Sequence, residues 1–304
     1  MERVAGKGKK IRRVLIVALD GMTDCRIAFI LPIGIYLLML GAITGDIIGS
    51  VHEFSGNDRS DFKLFVEHSS PTDDSLLTWV IAQALLKGDK NYRPYLVESV
   101  ALYEKNAHRV PLSAAFGYGF AEWVREGGVE NRDSYGNGSA MRVAPIAWAF
   151  DDLEDVLEHA RLSALPSHSH PEGIKGALCT AACTWVARKT RDPQAVRLMA
   201  EKYYGPLPNL DVIRRTHVYN ETCQGCVPEC MAIAVGTKDF ESAIRFAASI
   251  RGDADTLGAI TGSVSQALWG IPKAIRDESL AIAGRCYPGL DVTVREFEAR
   301  FGAA

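Results

Sequence analysis

The sequence predicts an all-α protein, a single compact multi-helix domain. Two observations carry the prediction. After residue 40, apolar residues recur at three- and four-residue spacing in segment after segment, and the one run that reads as a strand, "RVLIVALD" near the start, has no partner. Clusters of Pro and Gly at Gly205-Pro206, Gly236 and Gly270-Ile271-Pro272 separate the helical segments.

The segments can be taken in order. "MLGAITGDIIGSVHEF" carries Gly41, Ala42, Gly45 and Gly49, small residues suited to a close-packing helix. "SSPTDDS" then opens "DSLLTWVIAQALL", with Thr72 as candidate N-cap. "LEDVLEHARLSAL", "IKGALCTAACTWVARK", "PQAVRLMAEKYY", "CMAIAVG", "FESAIRFAASI" and "TLGAITGSVSQALWG" follow, each with helical spacing. No repeat, low-complexity tract or long linker interrupts them. The 304 residues divide into an N-terminal extension, 1–38, of unassigned structure, and one helical domain, 39–304.

Composition narrows the function classes. With 47% hydrophobic residues there is ample material for a core, and a net charge of -3 gives no drive toward nucleic acid or an anionic membrane. Seven cysteines, an odd number in a long chain, fit reduced thiols and a cytoplasmic protein better than a disulfide framework. "CQGCVPEC" lacks the fourth ligand of a zinc site, so its cysteines read as small buried hydrophobes. The uncharged run 27–45 behind "GKGKKIRR" has the length of a membrane span. Pro32 and Gly34 interrupt it, and its second half belongs to the first helix of the domain. The remainder is too short to span, so no membrane association is expected, and residues before Met39 are expected to be dispensable for catalysis.

The polar, Gly-rich segments between helices hold the chemistry. Asp73 and Asp74 open one apolar helix beside Thr72, and Asp253 and Asp255 open another beside Thr256. One acidic helix start is ordinary capping. Two, if they converge, place four carboxylates where they repel unless a cation joins them. Carboxylate and hydroxyl oxygens without Cys or His suit hard cations, two Mg2+ or Mn2+. "SYGNGSAMR" is a turn by composition. As a ligand loop, its Gly136 and Gly138 would admit close backbone approach, Ser134, Asn137 and Ser139 would offer donors, and Tyr135 would stack on a base or sugar. The loop reads as polar and exposed. His168 and His170 in "SHSHPEG" are either a surface pair or sugar contacts, and Glu53 is either a solvated charge or a site acid.

The ordered set "GAITGDIIGSVHEF", "PTDDSLLT", "SYGNGSAMRVAPI", "SHSHPEGIKGA", "CQGCVPE" and "GDADTLGAITGSVSQALWGIP" resembles the ADP-ribosylglycohydrolase family, over about Met39 to Pro272. That family includes the dinitrogenase reductase-activating glycohydrolase and the ADP-ribosyl-acceptor hydrolases. The resemblance implies an all-α fold with a binuclear Mg2+ (or Mn2+) cleft. It implies Thr72, Asp73 and Asp74 as one ligand group and Asp253, Asp255 and Thr256 as the other. It implies Glu53 as an acid at the edge of the cleft, Ser134, Tyr135, Gly136, Asn137 and Gly138 around the ADP-ribose, and His168 on the ribose. Arg251 departs from it, standing where the family usually has a second glycine, and Ser75 replaces a common threonine.

The expected activity is metal-dependent hydrolysis of the glycosidic bond between ADP-ribose and an acceptor, with Glu53 or a ligand aspartate such as Asp74 as the catalytic carboxylate. The expected partner is an ADP-ribosylated protein or a small ADP-ribose conjugate. The alternatives are a catalytically silent, crystallin-like member that binds ADP-ribose or serves structurally, and a metal-dependent phosphohydrolase.

Overall fold

The computed structural model describes residues 38–53, 59–110 and 116–302. "RVLIVALD", the basic tail and the run as far as residue 37 lie outside the described residues. Those that are described belong to one compact unit, Tyr36–Ala304. In chain order its helices are α1 (Leu40–Gly49), α2 (Asp73–Lys87), α3 (Arg93–Asn106), α4 (Tyr118–Arg125), α5 (Gly138–Met141), α6 (Ala144–Ala149), α7 (Leu153–Ala164), α8 (Pro171–Thr190), α9 (Pro193–Tyr204), α10 (Leu210–Thr216), α11 (Cys223–Gly236), α12 (Phe240–Ala247), α13 (Ala254–Trp269), α14 (Lys273–Cys286) and α15 (Leu290–Phe301). Among the described residues there is no strand, only an isolated bridge between Gly136 and Thr222. No helix among them is long and apolar enough to cross a membrane.

The core is organised around α1 and α13. Every residue of α1, and every residue of α13 as far as Leu268, is buried. α1 is apolar on nearly all sides and α13 carries no charge beyond Asp255, so neither has a solvent face to present. They approach along a seam of small residues. A Cβ added to Gly41 or Gly45 would strike the carbonyl of Gly262 or Gly258, and one added to Gly49 would strike that of Ala254. Backbone contact this close is open only to glycine. Ile43, Ile47 and Ile48 fill the sides of the seam, fully buried, each contributing about 1.5–3 kcal/mol by removal from water. The α2, α8, α11 and α12 helices pack around the pair. Because Gly49 meets Ala254, the seam brings the C-terminal end of α1 to the N-terminal end of α13.

Elsewhere the helix limits follow from local chemistry. The Thr72 hydroxyl accepts the amide of Asp74 to start α2, and Gly88, at φ 76, ends it. The α11 helix starts at Cys223 behind a Thr222 cap, so "CQGCVPEC" forms its first two turns rather than a loop.

Candidate active site at three helix ends

The start of α2 shows what caps it. Asp46 of α1 is fully buried and accepts from the Thr72 amide (2.9 Å), the Thr72 hydroxyl (2.7 Å), the Ser75 amide (3.0 Å) and the Ser75 hydroxyl. With Thr72 also accepting from the Asp74 amide at 3.3 Å, the amides of Thr72, Asp74 and Ser75 are satisfied without the side chains of Asp73 and Asp74. Those two acids are therefore released to face the cavity. Asp74 Oδ2 lies 3.4 Å from the Thr72 hydroxyl and accepts from the Thr256 hydroxyl at 3.3 Å, while its Oδ1 is buried without a partner.

The seam delivers the other acids. Glu53, just past α1, and Asp253 and Asp255, at the start of α13, have carboxylate oxygens within 4.8 Å of one another. Asp255 Oδ1 accepts from the Thr256 amide at 2.9 Å. Asp253 makes no cap; its Oδ2 takes the Asn137 side-chain amide at 2.6 Å. The two acidic helix starts of the sequence thus converge, joined through Asp74 and Thr256. Glu53 stands within the Asp253–Asp255 cluster rather than apart from it.

The other wall is the "SYGNGSAMR" loop. It is pinned to the segment before α11 by the Asn137 amide on the Glu221 carbonyl (2.7 Å) and the Cys223 amide on the Tyr135 carbonyl (2.9 Å). The Cys223 thiol points at the Gly136 carbonyl (3.1 Å), and the Cys226 thiol lies 3.6 Å from Asn137 Nδ2. The cysteines thus hold the loop from behind, and among the described residues they form no metal-ligand group. Ser134 accepts from the Gly136 amide and lines the cavity with Gly136, Asn137, Gly138 and His168. Tyr135, expected to stack on a base or sugar, is 49% exposed and does not line the cavity; its ring stands edge-on to His170 at 5.3 Å. His170 caps α8 by accepting the Glu172 amide, so the two histidines separate into one cavity residue and one cap.

Two expectations need correction. Asn137 is only 7% exposed and spends its amide on Asp253, so it supports an acid instead of presenting free donors on an exposed loop. Ser139 turns into the core and donates to the Gly173 carbonyl at 2.7 Å. Arg251 is exposed with φ 59, the left-handed region that favours glycine, and its side chain does not line the cavity.

The cavity, open to solvent on one side, has a volume of about 380 Å3. Its electrostatics follow from burial. Burial first and the charge of Asp255 second hold Asp73, Asp74 and Asp253 well above the usual carboxylate range. The same two causes raise Asp46 to about 7 and Glu53 to about 8. An oxygen-only donor set with like charges in contact, and one buried carboxylate oxygen unpartnered, fits a hard divalent cation.

Sequence reasoning did not name Asp46, Glu221, Tyr219, Arg132 or Arg142 as site residues. Asp46 carried a signal, as the only charge between residues 27 and 52. Tyr219 and Glu221, whose side chains hydrogen-bond each other at 2.6 Å beside Glu53, carried none.

The fold and the converging acids define a member of a known class: the model of the ADP-ribosylglycohydrolase family matches residues 35–293, and the chain belongs to that family. The match reaches beyond Met39 to Pro272 at both ends. Among individual relatives, the chain is 23% identical to the ADP-ribosylhydrolase ARH3 of Mus musculus, over 77% of this chain and 83% of that one. It is 29% identical to ARH3 of Xenopus tropicalis over 47% of each, so that match spans about half the relative's length. It is 24% identical to the ADP-ribosylarginine hydrolase Tri1 of Pseudomonas putida, over 77% of this chain and 70% of the relative. A solved structure titled ADP-ribosylglycohydrolase-related protein complex shares the fold, with a TM-score of 0.63 at 20% identity over 88% of this chain and 96% of that one.

Proposed function

We propose that this protein hydrolyses the glycosidic bond at C1″ of ADP-ribose attached to an acceptor, a protein side chain or a small conjugate. The observation that carries the reading is the convergence of Glu53, Asp73, Asp74, Asp253 and Asp255 on one cavity walled by the Ser134–Gly138 loop. Family membership and the names of the ARH3 and Tri1 relatives support it.

Thr72, Asp73, Asp74, Asp253, Asp255 and Thr256 would hold two Mg2+ or Mn2+, with Glu53 close enough to share in the site. The chemistry such ions supply is neutralisation of the acids and polarisation of ribose and water oxygens. The chain's own residues do the rest. The glycine face of the loop and His168 would hold the ribose and diphosphate, and Arg132 adds a cation to the same wall. A water oxygen bonds to C1″ as the bond to the acceptor breaks; the acceptor leaves with one proton and ADP-ribose keeps the hydroxyl. Glu53, which burial and the charge of Asp255 raise above the ordinary carboxylate range in the metal-free chain, is placed to exchange a proton with water or acceptor. Asp74, buried between two threonine hydroxyls, serves as ligand and as electrostatic support for charge developing on the ribose.

The free thiols of Cys179, Cys183, Cys223, Cys226, Cys230 and Cys286 support a reducing, cytoplasmic setting. The test is turnover of ADP-ribosylated arginine, ADP-ribosylated serine and O-acetyl-ADP-ribose, with Mg2+, with Mn2+ and with excess chelator, reading the released acceptor by mass spectrometry. Metal-dependent release of free ADP-ribose is expected. Binding without turnover would indicate a silent member, and release of inorganic phosphate a phosphohydrolase.

A further inference from the structure

Behind the ribose-facing wall runs a hydrogen-bond chain that the reaction scheme does not use. Arg142 is fully buried, and its Nη2 donates to the Ser163 carbonyl (2.8 Å) and to the Ser167 hydroxyl oxygen (2.9 Å). Ser167, also fully buried, has its Oγ 2.8 Å from His168 Nδ1. The Nε2 edge of His168 is turned toward the loop: a Cβ on Gly138 would lie 3.0 Å from Nε2, and one on Gly136 would lie 3.6 Å away.

The direction of the chain follows from what each group can do. A guanidinium only donates, so Ser167 Oγ accepts from Arg142. The single hydroxyl proton of Ser167 then needs an acceptor, and His168 Nδ1 is the one within reach. A protonated Nδ1 would leave that hydroxyl proton buried without a partner, at a cost near that of a lost hydrogen bond. Burial, with Arg142 and Arg132 adding to it, also holds the ring well below its ordinary pKa, hence neutral.

We infer that Arg142 and Ser167 are positioning residues that lock His168 as the neutral Nε2–H tautomer, so that it offers the cavity a hydrogen-bond donor and never an acceptor. Its partner is then an oxygen with a free lone pair, a ribose hydroxyl or a phosphate oxygen. This use of His168 rests on the ADP-ribose reading; the tautomer does not.

The test is long-range 1H–15N correlation on the full chain without ligand, with the His168 signals assigned by their loss in His168→Gln. An acceptor-type Nδ1 and a protonated Nε2 are expected. Ser167→Ala should give a mixture of tautomers, and Ser167→Thr, which keeps the hydroxyl, should restore the parent spectrum. ADP-ribose affinity should fall roughly three- to tenfold in Ser167→Ala, the range of one lost hydrogen bond, and recover in Ser167→Thr. A protonated Nδ1 in the parent overturns the inference, and this readout needs no variant to fold. An unchanged Nε2–H signature in Ser167→Ala overturns the role of Ser167. A parent that shows the expected tautomer yet binds no ADP-ribose overturns the functional reading alone.

Discussion

After burial, Asp255 is the charge that most raises Asp46, Glu53, Asp73, Asp74 and Asp253, so Asp255→Asn should make the ligand-free protein more stable while weakening its response to metal. Asparagine keeps the oxygen that accepts the Thr256 amide. It removes one unit charge within 4.8 Å of two other carboxylates. At an effective dielectric near 20, like unit charges at that distance repel by about 3.5 kcal/mol. The net effect is smaller, because Glu53 avoids much of the repulsion by holding a proton and is partly screened by solvent. Glu53 titrates at about 8 in the fold, against an ordinary 4.5. Between those values the folded state holds a proton that the unfolded chain releases. The contribution is therefore complete below the ordinary value and is lost as pH rises through the folded one. The advantage of Asp255→Asn should accordingly grow from about 1 kcal/mol at pH 6 to about 2–3 kcal/mol at pH 8.5. Urea denaturation in excess chelator, followed by far-UV circular dichroism across that range, measures it. Added Mg2+ should stabilise the parent by mass action and the variant much less. A variant no more stable than the parent at pH 8.5 in chelator, or an advantage that shrinks with pH, would refute the reasoning.

Further outcomes are expected. Asp46→Ala removes the acceptor of four hydrogen bonds at the start of α2. It should cost about 2–4 kcal/mol in chemical denaturation and weaken metal binding by calorimetry, although Asp46 touches no ligand. Gly45→Ala would force α1 from α13 at the Gly258 carbonyl and should lower stability by about 3 kcal/mol or more; a thermal midpoint equal to the parent's would contradict the seam. Arg251→Gly relieves a residue at φ 59 and should be neutral or stabilising by up to about 1 kcal/mol, with unchanged turnover. His168, held well below its ordinary value of 6.5, stays neutral as the unfolded chain takes up a proton. Its contribution is present above that value and lost as pH falls below it, so His168→Gln should flatten the acid side of the stability profile in urea denaturation.

Local pattern determined much of this protein. The α2, α7, α8, α9, α12 and α13 helices follow from apolar spacing, whereas each acidic helix start alone reads as capping and "SYGNG" alone as a turn, and only their combination points to a site. Three features could come only from the tertiary structure. Thr72 was legible as a cap, but the partner that satisfies both Thr72 and Ser75, and so releases Asp73 and Asp74, is Asp46, on a different helix. His168 and His170 are equivalent in sequence, and only the start of α8 makes one a cap and turns the other into the cavity. Glu221 and Tyr219 reach Glu53 across more than 160 residues of chain. The reason is common to all three. Helical spacing and capping are set by neighbours within a few residues, so they are written locally. Carboxylate repulsion and hydrogen-bond partnership depend on which helix ends meet, and that is decided by the approach of α1 to α13 along their glycines.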